Sequence, residues 1–153
     1  MNNDQFDPKG VIPACLMPFD ARLEIDEAAY RRHLSDLAGV EGITAITVNG
    51  HAAEVHALNF DEQQRGVEIA RDEVGGELPL VAGIHTGNTR EASRLATMAT
   101  EAGADALLVF PSDVLAMGGQ QKTECAHAHV AAIAESTELP LILFQYPMTG
   151  GLG

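Results

Sequence analysis

The side chains best suited to chemistry are concentrated between residues 50 and 56. His51, Glu54 and His56 follow Gly50 within six residues. An imidazole can move a proton near neutral pH and a carboxylate can accept one, so this segment could perform acid–base chemistry. The same groups are common ligands of zinc and iron, so a metal site is a second interpretation.

A metal site would draw on two further side chains, His85 and Asp113, each of which follows a different apolar run. None of the spacings is that of a compact metal motif, and no two histidines lie four residues apart on a predicted helix. The alternative is that all five side chains line a polar rim made by loops. We favour the rim and predict no metal ion.

The other histidines and the two cysteines are weaker candidates. His127 and His129 lie two residues apart in a predicted helix and therefore point to different faces, His127 outward and His129 partly inward. We expect Cys15 and Cys125 to be small core residues rather than nucleophiles. Two cysteines are too few for a disulfide framework, so we expect a reducing, cytoplasmic location.

The elements that must position these residues form a regular alternation of strands and helices. Five apolar runs predict strands at 11–17, 43–48, 79–83, 105–110 and 141–144. The intervening segments predict helices that begin at Asp26, at Asp61, at Asn88 or Thr89, and shortly before Ala126. Strands that are apolar along their whole length are buried on both faces, which is typical of a parallel sheet covered by helices.

Two α/β architectures fit this alternation. One is an open, doubly wound sheet of five strands, which suits a chain of 153 residues. The other is the first five strands and four helices of an eight-stranded (βα)8 TIM barrel. From residue 11, where the first run starts, to residue 140, just before the fifth run, each unit takes about 32 residues, so eight such units need about 260 residues. In that case residues 1–153 are a single barrel domain that is apparently truncated.

Charge and motifs exclude several classes of function. Nine Lys and Arg against 22 Asp and Glu give a net charge of −13, which disfavours nucleic-acid binding. No apolar run reaches the ~20 residues of a membrane helix, and the first residues lack the pattern of a signal peptide. No glycine motif for a dinucleotide or a phosphate follows a predicted strand.

Seven segments, taken in order from Gly10 to Gly151, resemble the dihydrodipicolinate synthase / N-acetylneuraminate lyase family. They are Gly10–Pro13 with Pro18-Phe19, Ile25-Asp26, Gly50–Glu54, Pro79–Gly83, Glu101–Ala106, Pro111, and Leu139–Pro147. The resemblance implies a TIM barrel that acts on pyruvate-type 2-oxo acids through a lysine Schiff base, as a class I aldolase or lyase without a cofactor. It also implies a homo-oligomer for the intact protein.

The resemblance also implies the site residues. The family loop Gly-Thr-Thr-Gly-Glu holds the pyruvate carboxylate, and here it reads Gly50-His51-Ala52-Ala53-Glu54. Gly50, His51, Ala52 and Glu54 are therefore the expected substrate-binding residues, with His51 as a donor in place of the missing hydroxyls. The family's proton-relaying tyrosine corresponds to Phe144, which cannot transfer a proton, so Tyr146 or His51 would have to replace it.

The family's Schiff-base lysine follows strand six, beyond residue 153. The only lysines here, Lys9 and Lys122, are expected on the surface. We therefore expect the intact protein to be the aldolase or lyase and this stretch alone to be inactive. Two alternatives stay open: a catalytically inactive relative that binds a 2-oxo acid, and a self-contained five-stranded binding module.

Overall fold

A computed structural model describes residues 6–115, 118 and 121–145. Four helices alternate with four strands. Their bounds are α1 Glu27–Ala38, β1 Ile46–Val48, α2 Phe60–Val74, β2 Leu80–Ile84, α3 Thr89–Glu101, β3 Ala106–Val109, α4 Thr123–Ala134 and β4 Leu141–Leu143. Short 3-10 turns follow two of the strands, at His51–Ala53, Val55–Ala57 and Asp113–Leu115.

The strands form one parallel sheet in the order β1-β2-β3-β4. Ile46 pairs with Leu80, and Leu107 pairs with Leu141. Each strand therefore lies beside the next one in the sequence, and the order never reverses. A doubly wound sheet requires such a reversal, whereas a barrel adds each unit in the same direction. The described strands thus form an arc of a (βα) barrel.

The two faces of this sheet carry cores of very different size. The larger core lies between the sheet and the helices and includes Ile46, Leu80 and Leu107. Alternate residues of the same strands, including Val81 and Ala106, form a small cluster on the opposite face. Because successive side chains of a strand point to opposite faces, the smaller cluster lies on the side that faces a barrel interior.

The predicted first strand, 11–17, is not a regular strand in the structure. Residues in it make two isolated parallel bridges, Val11 with Ile43 and Ala14 with Thr47. Cys15 N–H donates to the Thr47 carbonyl at 2.9 Å. The next donor along the ladder would be the backbone nitrogen of Pro13, two residues earlier. Proline has no N–H, so the ladder is interrupted at this position.

The first two helices begin with side-chain caps. Asp26 Oδ1 accepts from the Ala29 N–H at 2.9 Å, as predicted. The prediction that Asp61 caps α2 is wrong, because Asn59 occupies that position and accepts from the Glu62 N–H while Glu62 accepts from the Asn59 N–H. Asp61 instead lies in the first turn, where its charge favours the helix dipole.

The cysteines divide between core and surface. Cys15 is fully buried, with Sγ 3.4 Å from the Tyr30 hydroxyl, and burial raises the pKa of its thiol to about 11. Cys125 was expected in the core, but it is exposed together with Thr123 and Glu124 at the start of α4, where the helix has not yet reached the core. No helix within the described ranges has both the length and the apolar character needed to span a membrane.

Candidate active site

One ring side chain follows each strand of the sheet. His51 comes after β1, His85 directly after β2, Phe110 directly after β3 and Phe144 directly after β4. Because parallel strands end at the same edge, these four side chains are brought together. We refer to them as the ring cluster.

The rings of the cluster are in direct contact. The His51 ring stacks on Phe110 with centroids 4.2 Å apart and planes at 30°. His85 meets His51 edge-on at 5.2 Å, and Phe144 lies 5.1 Å from Phe110. The cluster therefore combines apolar ring faces, which can pack against a small planar molecule, with imidazole nitrogens, which can exchange protons with it.

The electrostatics of the ring cluster favour a neutral His51. Burial against the neighbouring rings lowers the pKa of this imidazole, and the nearby His85 and His56 lower it further, while Asp113 acts in the opposite direction. His85 Nε2 lies 3.6 Å from the exposed carboxylate of Asp113. A neutral imidazole can accept a proton as a base or donate its N–H in a hydrogen bond.

The predicted binding loop forms two consecutive 3-10 turns beside the ring cluster. Gly50 is extended and buried, whereas Ala52 and Glu54 are exposed. Glu54 has a left-handed backbone (φ 54°) and joins the two turns, and its N–H donates to the His51 carbonyl at 3.0 Å. A Cβ at position 50 would make only ordinary contacts, so packing alone does not require glycine there.

A close backbone approach beneath the loop was missed by the sequence reasoning. Asn49 carries a left-handed backbone, and its carbonyl group lies directly against Gly83 in β2, where an added Cβ would overlap it. The buried Asn49 Nδ2 donates to the Gln63 carbonyl at 2.9 Å. The available signal was a glycine inside an otherwise apolar strand, which marks such approaches.

The structure brings together some of the predicted site residues but not all of them. His51 and Phe144 lie in the ring cluster, Gly50 lies beside it, and Tyr146 lies outside the described residues. Phe110 was not predicted as a site residue, because it lies at the end of the apolar run 105–110 and has the appearance of a core residue. No group of three or more His, Cys, Asp or Glu side chains within the described residues could hold a metal ion.

A model of the dihydrodipicolinate synthetase family matches residues 7–152. The chain belongs to this family. This membership agrees with the resemblance found in the seven sequence segments and with the strand order, which never reverses. The sheet is therefore part of a TIM barrel. The ring cluster therefore lies at the carboxyl ends of barrel strands, where enzymes of this fold place their active sites.

Two relatives illustrate the similarity. A 4-hydroxy-tetrahydrodipicolinate synthase of Methanopyrus kandleri is 37% identical over 149 residues, which cover 95% of this chain and 47% of that protein. A 4-hydroxy-tetrahydrodipicolinate synthase of Salinibacter ruber is 37% identical over 139 residues, which cover 91% and 44%. The chain thus spans about half the length of the curated relatives it matches.

A solved structure extends the similarity to the backbone. The 4-hydroxy-tetrahydrodipicolinate synthase from the methanotroph Methylacidiphilum fumariolicum matches with a TM-score of 0.84 at 27% identity. The match covers 92% of this chain and 45% of that one. The described part of this chain therefore has the backbone of roughly half of such an enzyme.

Proposed function

We propose that the intact protein is a class I aldolase or lyase that acts on a small 2-oxo acid of the pyruvate type through a lysine Schiff base. The observation that carries the proposal is the position of His51. It stands on the family's carboxylate-binding loop and packs into the ring cluster at the carboxyl ends of the strands. Family membership supplies the reaction class.

In this proposal His51 takes over work that hydroxyl groups perform in the family's usual loop. Its imidazole N–H donates to the substrate carboxylate, since Ala52 and Ala53 have no hydroxyl to offer. The lowered pKa keeps the ring neutral near pH 7, so it can also accept the proton that a tyrosine would otherwise relay. Gly50 and Glu54 set the backbone of the loop that carries it.

The Schiff-base lysine has to come from outside residues 1–153. Lys9 and Lys122 are both exposed, far from the desolvated surroundings that lower the pKa of an imine-forming amine. No further lysine occurs in the sequence. We therefore propose that these residues bind and orient the 2-oxo acid and that the covalent step depends on a lysine elsewhere in the intact protein.

A second candidate function is binding of a 2-oxo acid without turnover. The observation in its favour is Phe144, which cannot transfer a proton at the position of the family tyrosine. The two candidates separate on the parent protein, which turns pyruvate over in the first case and only binds it in the second. Phe144→Tyr restores the hydroxyl, and it should raise an existing turnover if the first candidate is right and create turnover that the parent lacks if the second is right.

The role of His51 can be tested with His51→Phe in the intact polypeptide. Phenylalanine keeps the stacking on Phe110 and removes the N–H donor. A hydrogen bond to a charged group contributes about 1.5–3 kcal/mol, so the KM for pyruvate should rise at least tenfold. His56→Phe is the matched control, since His56 is exposed on the same loop outside the ring cluster. An unchanged KM in His51→Phe would contradict the assignment.

We further propose a homo-oligomeric, cytoplasmic protein. The free state of both Cys15 and Cys125 supports a reducing compartment, and the family resemblance supports the assembly. Sedimentation of the intact protein measures the oligomer, and a species that remains monomeric at micromolar concentration would contradict that part of the proposal.

A further inference from the structure

His85 is the second imidazole of the ring cluster, and the proposed function leaves it without a role. It follows β2 directly, and its side chain is 14% exposed. The ring meets His51 edge-on, with centroids 5.2 Å apart and planes at 88°, and it meets Phe110 at 5.9 Å and 71°. His85 is therefore packed against the ring that the proposed function uses as a base.

Asp113 brings a negative charge to His85. It begins the 3-10 turn after β3, the strand that pairs with β2 in the sheet. Its Oδ2 lies 3.6 Å from His85 Nε2. A carboxylate at this distance stabilises a protonated imidazole, although the 75% exposure of the Asp113 side chain lets water weaken the attraction. His85 can therefore carry a positive charge with a counter-charge beside it.

Two imidazoles in contact do not both take up a proton easily, because their positive charges repel each other. Burial lowers the pKa of His51, and the nearby His85 and His56 lower it further, whereas Asp113 raises it. Within the described residues, the titratable groups that face His51 are thus one from its own loop, one from the end of β2 and one from the turn after β3. Neighbouring groups whose surroundings differ in this way divide into one that holds a proton and one that accepts it.

We propose that His85, with Asp113 beside it, takes the first proton that the two imidazoles bind and so keeps His51 neutral as a base. His85 is then a positioning residue, because it acts on the reaction through the charge of His51. Its effect is to let His51 work as a base at lower pH than it otherwise could. That His51 is the base rests on the proposed aldolase or lyase function, whereas the order in which the two imidazoles take up protons does not.

The order of protonation can be measured by NMR on the intact polypeptide with isotope-labelled histidine. The two signals are assigned by their absence from His51→Phe and His85→Phe. As the pH falls, we expect the His85 signal to shift before the His51 signal. In Asp113→Asn the two titrations should move closer together, because the counter-charge of His85 is gone. The proposal is wrong if His51 titrates first in the parent, or if Asp113→Asn leaves the separation of the two titrations unchanged.

Two substitutions separate the charge of His85 from its packing. His85→Phe keeps a ring against His51 and removes the charge, so His51 should take up its proton at higher pH than in the parent. His85→Arg gives up the ring and keeps a positive charge beside Asp113, so His51 should titrate as in the parent or at lower pH. His127→Phe is the control, since His127 is exposed on α4, and it should leave the His51 titration unchanged. A parental His51 titration in His85→Phe, with a disturbed one in His85→Arg, would show a packing role alone and overturn the proposal.

The effect on the reaction is read from kcat/KM for pyruvate at about pH 6 and about pH 8, on either side of the usual histidine range. In His85→Phe the ratio of the acidic to the alkaline value should fall about threefold, the effect of one unit charge about 5 Å away in water. His85→Arg should keep or exceed the parental ratio.

Imine trapping with borohydride keeps the failure of this inference distinct from a failure of the proposed function. If the intact protein forms no imine with pyruvate, the proposed function fails, while the NMR titrations still decide the order of protonation. If the imine forms and the ratio is the same in His85→Phe and the parent, His85 does not act on the reaction and its positioning role is wrong.

Discussion

Gly83 is the residue at which the smallest change should have the largest effect on the fold. The Asn49 carbonyl group occupies the space of a Cβ at this position, with its carbon 2.7 Å from where that Cβ would be. Both partners are backbone atoms of buried elements and cannot move aside as a flexible side chain would. Gly83→Ala should therefore destabilise the protein by about 3 kcal/mol, measured by urea denaturation.

Gly76→Ala is the matched control for this prediction. Gly76 lies in the turn after α2, and an added Cβ there would have no neighbour within 4 Å. The same chemical change should leave stability within about 0.5 kcal/mol of the parent. Equal denaturation midpoints for the two variants would show that the close approach of Asn49 to β2 is not a property of the folded protein.

His129 should make the stability depend on pH. Burial lowers its pKa, so the folded protein takes up a proton here less readily than the unfolded chain, whose histidines titrate near about 6.5. Acidification through that range protonates the unfolded chain first, so stability is present above about pH 6.5 and falls below it. The melting temperature should decrease between about pH 7.5 and 5.5.

His129→Asn should flatten this pH dependence, whereas His127→Asn should not. His127 is exposed on the same helix. The comparison uses only the slope of melting temperature against pH, because the loss of the Thr89 hydrogen bond lowers stability at every pH. A slope that His129→Asn leaves unchanged would contradict the buried, neutral state of this histidine.

The sequence predicted the candidate site to different extents for different residues. His51 could be found because it stands in a polar loop after a strand, and residues at the carboxyl ends of parallel strands converge. Phe110 could not be distinguished from a core residue, since its role depends on which rings meet across neighbouring strands. Gly83 within an apolar run indicates a close backbone approach, but that Asn49 is the partner depends on a distance between two segments that no local pattern encodes.

Asn59 is expected to control the start of α2. Its side-chain oxygen accepts from the Glu62 N–H at 3.0 Å, and the Glu62 carboxylate accepts from the Asn59 N–H at 2.7 Å. Asn59→Ala removes the cap and should cost about 1 kcal/mol, measured by thermal or urea denaturation. Asn59→Ser keeps an accepting oxygen and should cost much less. An equal loss in both variants would mean that the cap does not stabilise α2.

The order and type of the elements were predictable because each carries its own pattern. Asn88, one of the two predicted starting points of α3, is the cap, and its side chain accepts from the Arg90 and Glu91 N–H groups. Element ends were less certain where several residues could cap, as with Asn59 and Asp61. The segment at 11–17 has a strand-like composition, yet Pro13 interrupts its hydrogen bonding, an effect that depends on pairing with a distant segment.

Predicting the architecture of the whole molecule requires information that local sequence patterns lack. The alternation of strands and helices fits both a doubly wound sheet and a barrel. The strand order β1-β2-β3-β4, with one large core between sheet and helices, identifies the sheet as part of a barrel. The family match over residues 7–152 agrees, and so does the period of about 32 residues that the apolar runs share.

The central claim is that the intact protein forms a lysine imine with a 2-oxo acid and that residues 1–153 bind the acid without supplying the lysine. Treatment of the intact polypeptide with pyruvate and borohydride, followed by peptide mass spectrometry, tests it most directly. We predict one reduced adduct, on a lysine outside this stretch, and slower trapping in His51→Phe than in His56→Phe. An adduct on Lys9 or Lys122, or no adduct at saturating pyruvate, would contradict the claim.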